Sequence, residues 1–214
     1  IEHLAVVPEQ ALPDGHFPTC PYPNPEEKST LQLGIELCRR CNGDLVLATD
    51  PDADRVGVAV KHTGDYVLPT GNEIGVLMLD YIAQQRIAQG TMPKNPIVVR
   101  SIVSTPLVDV VAKSYGIQVV TVLTGFKYIG EQIKFFEQQN SYEYVFGLEE
   151  SYGCLAGTYA RDKDACVAVM MLCEVAAWCK SNGITLWDAM VSLYETYGYY
   201  KEGLETMTLK GMDG

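Results

Sequence analysis

No stretch of this chain is apolar for long enough to span a bilayer. The longest apolar run, residues 165–178, is shorter than a membrane helix and is interrupted by Glu174. No signal peptide is legible, although the chain opens on Ile1, which suggests a piece cut from a longer protein. Basic residues are scarce: Lys and Arg total 16 against 27 Asp and Glu, for a net charge of −11. That argues against nucleic acid as a partner, because phosphate backbones select basic surfaces. It does not exclude a small phosphorylated ligand held by a few local cations. His3, His16 and His62 are the three histidines, and they form no cluster with the C-x-x-C at Cys38 and Cys41, so a zinc site lacks ligands. The C-x-x-C also ends a helix-like run instead of opening one, so it reads as two semi-buried thiols. With seven cysteines, an odd number, the expectation is reduced thiols in a cytoplasmic protein without membrane contact. Internal repeats and low-complexity tracts are absent.

What is present is a chain of 214 residues, 47% apolar and 20% charged, enough for one large domain or two small ones around a real core. Pro8, Pro13, Pro18, Pro21, Pro23 and Pro25 make residues 8–28 a loop. Ser29 can cap a helix over 30–41 that stops at Asn42-Gly43. Strands are expected at 45–48 and 56–61, with a turn at 62–65. Asn72 is the expected cap of a helix over 73–85. Then follow strand 97–103, helix 105–114, strand 117–123, helix 126–138 and a short strand at 144–146. Asp162 or Asp164 caps a helix to Cys179 that is apolar nearly all round and so should be central. Thr185 opens the last helix, through Tyr194. Strands alternating with helices predict an α/β fold of layered α/β/α units with mixed sheets. The expected boundary lies near residue 65.

The chemistry gathers in four stretches. The first is TDPDADR, where Asp50, Asp52 and Asp54 alternate at the end of an apolar strand and Arg55 follows. Three carboxylates so close repel one another unless a cation joins them. An all-oxygen donor set suits a hard ion such as Mg²⁺ or Ca²⁺. An EF-hand is ruled out, because Arg55 and Lys61 stand where it needs Gly and an acid. A haloacid-dehalogenase-type phosphatase also places Asp-x-Asp after a strand, but the added Asp54-Arg55 departs from that pattern. The second stretch is TGFKYIG. Thr124-Gly125 turns a strand into a helix whose free N–H groups favour an anion, and Lys127 stands in its first turn. The third, GLEESYG, sets Glu149 and Ser151 in a flexible polar loop suited to sugar hydroxyls. In the fourth, RDKD, Arg161 and Lys163 stand at a helix start, where cations need an answering anion.

In this order the four stretches resemble the α-D-phosphohexomutase family of phosphoglucomutases and phosphomannomutases. The likeness runs from PDGHFPTCPYPNPEE to YGYYKEG and is strongest to bacterial phosphoglucomutases. It implies that Asp50, Asp52 and Asp54 hold Mg²⁺ and that Arg55 steadies a phosphate. It implies that Lys127 is an acid/base candidate, with Thr124 and Gly125 in the same substrate-binding loop. It implies that Glu149 and Ser151 bind sugar hydroxyls, while Arg161 and Lys163 line the phosphate side. Tyr152 leans towards glucose over mannose. The resemblance further implies that 1–65 is the end of domain two, 66–197 is domain three and 198–214 is a linker. The phosphoserine domain one and the phosphate-gripping domain four would be missing. The parent would interconvert hexose 1- and 6-phosphates through a bisphosphate, with glucose 1,6-bisphosphate as activator, and the fragment alone would not turn over. A sugar-phosphate-binding module without catalysis and a Mg²⁺-dependent phosphatase using Asp50 are the alternative readings.

Overall fold

Residues 56–60 alternate between two faces, and that alternation organises the first unit. In the computed structural model, which describes residues 1, 3–203, 209, 211 and 212, strand β1 (Leu45–Thr49) pairs antiparallel with β2 (Val56–His62). Strand β3 (Asp65–Val67) then folds back on β2. Ala59 faces helix α1 (Gln32–Cys41) and packs with Leu31, Ile35, Cys38 and Val46. Val56, Val58 and Val60 face the other way, into the main core. The expected start of the first helix at residue 30 is a short 3-10 turn, Lys28–Leu31, and the α-helix begins at Gln32. Asn42 ends it in the left-handed conformation, φ 55°.

The second unit is a four-stranded sheet in the order β5-β4-β6-β7, formed by β4 (Pro96–Ser101), β5 (Gln118–Val122), β6 (Glu143–Leu148) and the two-residue β7 (Cys154–Leu155). Strands β5, β4 and β6 run parallel, and β7 is antiparallel to β6. Ile97 and Val99 face helix α4 (Phe126–Gln139), burying Ile129 and Ile133. Val98 faces α2 (Gly71–Ala88) and α3 (Leu107–Ser114) on the other side. Helices α5 (Ala165–Ser181) and α6 (Leu186–Tyr197) complete that layer. The layered α/β/α architecture with mixed sheets agrees with the sequence.

Three local expectations need correction. Thr70, not Asn72, caps α2: its Oγ1 accepts from the Glu73 N–H, and its own N–H donates to Glu73 Oε2 at 2.7 Å. Asn72 instead accepts from the Thr105 N–H, anchoring the loop before α3. Second, α5 is not central. Only one stripe, Ala165, Ala168, Leu172, Val175 and Cys179, is buried, while Cys166 and Met170 face outward. The central helix is α2, buried almost continuously from Gly71 to Ala83. Third, β4 stops at Ser101, so Ile102 and Val103 lie in an exposed loop. Among the described residues no single helix is long and apolar enough to cross a membrane.

Of the expected linker, residues 198–203 are irregular chain, with the Tyr199 ring 4.7 Å from that of Tyr194. Residues 204–208, 210, 213 and 214 lie outside the described residues.

Candidate metal centre and the loops around it

The turn between β1 and β2 builds an acidic pocket from its own backbone. Ala53 takes a left-handed conformation, φ 55°, which doubles the chain back. Asp50 is buried, and its Oδ1 accepts from the N–H groups of Asp54 and Arg55, both at 3.0 Å. Its Oδ2 accepts from Arg55 Nε at 2.8 Å. Burial alone would raise the Asp50 pKa, but these bonds outweigh it and hold the carboxyl below the usual range. Oxygen atoms of Asp50, Asp52 and Asp54 all come within 4.8 Å of one another. Such a set could hold a hard divalent ion, with Asp52 the exposed member.

Arg55 is not free in this arrangement. Its guanidinium also reaches Asn24 at 3.3 Å and Glu26 at 3.1 Å, so the proline-rich loop is fastened to the acidic turn. Lys163 Nζ lies against Asp54 Oδ2. Burial raises the pKa of Asp54, and the nearby charge of Asp50 adds to it; the Lys163 ammonium opposes the shift without cancelling it.

Backbone bonds join the acidic turn to the second unit. The Ala53 carbonyl accepts the Ala165 N–H, one of the free donors at the start of α5. Val56 N donates to the Tyr152 carbonyl, and Arg55 forms a single antiparallel bridge with Gly153. The Lys163 stem crosses directly over Gly153, where a Cβ would lie 2.5 Å from its Cδ.

The remaining loops meet at the carboxyl ends of β4, β5 and β6, the edge where open α/β sheets bind ligands. Glu149 is buried, and its Oε1 accepts from the Gly125 N–H at 2.8 Å. Burial raises its pKa, and the Gly125 bond offsets part of that. Glu149 therefore ties the GLEESYG loop to the TGFK turn. Gly125 sits at φ 112°, which favours glycine, and precedes α4. Thr124 and Lys127 are exposed beside it, and Lys127 Nζ lies 4.9 Å from the centre of the Tyr128 ring. Ser151 is half-buried in the turn after Glu150.

Arg161 takes a different course. It forks onto Glu137 at 2.7 and 2.9 Å and also bonds the carbonyls of Thr158 and Ala160. Glu137 stands ten residues beyond Lys127 on α4, about 15 Å along the axis. The structure thus gathers Asp50, Asp52, Asp54, Arg55 and Lys163 in one cluster, and Thr124, Gly125, Lys127, Glu149 and Ser151 in a second. Arg161 heads away from both.

Sequence reasoning left Glu150 without a role. It accepts from Ser101 Oγ at 2.7 Å, and Ser101 and Ser104 share a further bond of 2.8 Å. Arg100 braces the same loop through the carbonyls of Ser101 and Ser104 and pairs with Asp109. The adjacent acids of Glu149-Glu150 were the available signal, but nothing local says which neighbouring loop each one holds.

The chain itself matches a known family pattern. Residues 70–197 match phosphoglucomutase/phosphomannomutase alpha/beta/alpha domain III, and residues 1–64 match domain II of the same family. The chain belongs to the phosphoglucomutase/phosphomannomutase family. Among curated relatives, a phosphoglucomutase of Staphylococcus aureus (strain bovine RF122 / ET3-1) is 35% identical over 210 residues, covering 98% of this chain and 37% of that protein. A phosphomannomutase of Mycoplasmoides pirum is 36% identical over 198 residues, covering 92% of this chain and 35% of that protein. The chain therefore spans little more than a third of the length of these relatives. In fold it resembles a putative phosphomannomutase from Thermus thermophilus, with TM-score 0.63 and 24% identity over 82% of this chain and 36% of that one. It also resembles the Paramecium phosphoglucomutase pp63/parafusin in its open form, with TM-score 0.57 and 18% identity over 82% of this chain and 30% of that one.

Proposed function

We propose that this chain is the metal- and sugar-binding part of a cytoplasmic phosphohexomutase that interconverts hexose 1-phosphate and 6-phosphate, glucose phosphates foremost. The observation that carries the reading is the convergence of three aspartates with a lysine from the next unit, beside loops gathered at the carboxyl edge of the sheet. In this reading residues 1–65 are the end of domain two, 66–197 domain three and 198–214 the linker towards domain four. The phosphorylated serine and the second phosphate grip come from the rest of the longer protein, and this segment alone does not turn over.

Mg²⁺ held by Asp50, Asp52 and Asp54 would supply Lewis acidity to a phosphoryl oxygen. The chain's own residues do the remaining work. Arg55 fixes Asp50 and steadies a phosphate by exchanging its Glu26 partner for it. Lys163 lies between the acidic turn and Gly153 of the sugar loop, so it can answer a phosphate there. Glu149 and Ser151 orient the hexose by its hydroxyls. Lys127, exposed in the first turn of α4, can exchange a proton with a hydroxyl brought to that helix end. Phosphoryl transfer chiefly needs such positioning and charge neutralisation. The phosphatase alternative fares worse, since both oxygens of Asp50 are already bonded within the turn, which leaves it a poor nucleophile.

Calorimetric titration with Mn²⁺ in place of Mg²⁺ tests the metal centre. About one ion per chain, lost in Asp52→Asn, is the expected result. The longer protein carrying this segment should convert glucose 1-phosphate to glucose 6-phosphate and lose that activity in the same variant. Metal binding without turnover in the longer protein would point to the binding module.

A further inference from the structure

We propose that Cys38 and Cys41 are a dithiol that closes reversibly to a disulfide by exchange with a low-molecular-weight disulfide of the glutathione type. The proposal is independent of the mutase reading. The C-x-x-C occupies the last turn of α1, with Cys38 buried and Cys41 exposed. A Cβ placed on Gly43 would lie 2.5 Å from Cys38 Sγ and 3.7 Å from Cys41 Sγ. Both sulfurs therefore flank the same glycine, whose missing side chain leaves room for the Cys38 sulfur.

The spacing suits a bridge. Residues three apart on a helix have Cα atoms about 5 Å apart, inside the range of about 4.4–6.8 Å that disulfides span. Their Cβ atoms, about 5–6 Å apart on a regular helix, must draw in to about 4 Å. Only the final turn has to tighten for this. Cys41 is the last helical residue, and Asn42 has already left the helix at φ 55°. Cys38 Sγ reaches the Leu45 carbonyl and Cys41 Sγ the Cys38 carbonyl, both weakly at 3.6 Å, and the Cys38 thiol also meets the Tyr66 side chain.

The difference in exposure sets the order of events. The Cys41 thiolate attacks one sulfur of the small disulfide and expels one small thiolate. A mixed disulfide then stands at the surface. The Cys38 thiolate attacks the Cys41 sulfur and expels the second small thiol. The protons of the two cysteines end on the two released thiols, so the pair gives up two electrons and the small disulfide gains them. Cys154 and Cys179 are buried, and Cys166 and Cys173 stand seven residues apart on α5, about 10 Å along its axis.

The test is to treat the folded chain with oxidised glutathione at mildly alkaline pH, alkylate the remaining thiols and digest with trypsin without reduction. Trypsin cuts after Arg39 and Arg40, so the two cysteines separate unless bridged. A linked pair of peptides carrying Cys38 and Cys41 as the dominant product is expected. In Cys38→Ser, glutathione should stay on Cys41. The proposal is overturned if the wild type also stops at a Cys41–glutathione adduct, if linkages scatter over the other cysteines, or if neither thiol reacts.

Discussion

Ser101 Oγ donates to Glu150 Oε2 at 2.7 Å, joining the loop after β4 to the loop after β6. Ser101 is fully buried and Glu150 half-buried, so the bond is screened from water on the serine side. Its neighbour Glu149 holds the loop after β5. Two adjacent carboxylates thus brace one turn from opposite sides. Replacing Glu150 with Ala should release the turn and raise hydrogen exchange at the amides of 149–153 by about tenfold, as expected for losing a bond worth about 1–2 kcal/mol. Glu150→Gln keeps an acceptor and should stay near wild type. Equal exchange in wild type and Glu150→Ala would remove the bracing role.

Lys163 competes with any ion for Asp54. A cation about 5 Å from a divalent ion repels it appreciably even at an effective dielectric near 20. Lys163→Met should therefore tighten Mn²⁺ binding, by roughly three- to tenfold after solvent screening, while Asp54→Asn weakens it. Looser binding in Lys163→Met would instead assign the lysine to holding Asp54 in place.

Asp80 is buried on α2, accepting from Tyr115 Oη at 2.7 Å and Gln84 Nε2 at 2.6 Å. Burial raises its pKa, and these two bonds counter it only in part. An acid raised in the folded state destabilises the fold when charged and ceases to do so as pH falls through its folded value. Asp80→Asn should accordingly gain stability relative to wild type at neutral pH. That difference should narrow as the pH drops through the raised value towards the ordinary aspartate range. Urea melts of both proteins across that window measure it, and a constant gap would refute the assignment.

Gly71 opens α2 directly beneath the Glu150 carbonyl, which a Cβ there would overlap along with the Tyr152 N–H. Both obstructing groups are backbone, so they cannot swing aside. Gly71→Ala should cost about 1–3 kcal/mol, the usual range for overpacking, and should perturb the amide shifts of 149–153 before those of the distant α4. A silent substitution would show that the turn yields freely.

How much of this was legible beforehand depended on distance along the chain. The aspartate run, the Thr185 cap and the strand–helix alternation are local, and the structure repeats them; of the two caps open for α5, Asp162 and Asp164, it takes Asp164. Thr70 was missed because Asn72 is also a good capping residue; only the reciprocal bond with Glu73 decides between them. The one-sided burial of α5 was hidden because its outer face carries Cys166 and Met170, apolar by type yet exposed. The turning of Arg161 to Glu137 spans 24 residues and leaves no trace in local pattern. The same holds for Glu149 and Gly125, whose bond also spans 24 residues.

Val56, Val58 and Val60 of β2 lie in the same hydrophobic cluster as Leu79 of α2 and Leu172 of α5. Two modules recognisable in the sequence are therefore one object to heat. Neither can shed its half of that oil without exposing the other's, so calorimetry should record a single melting transition. The acidic turn and the loop of Glu149 would then travel together as a fixed anvil, and in the mutase proposed above any closing stroke over it falls to a part outside this chain.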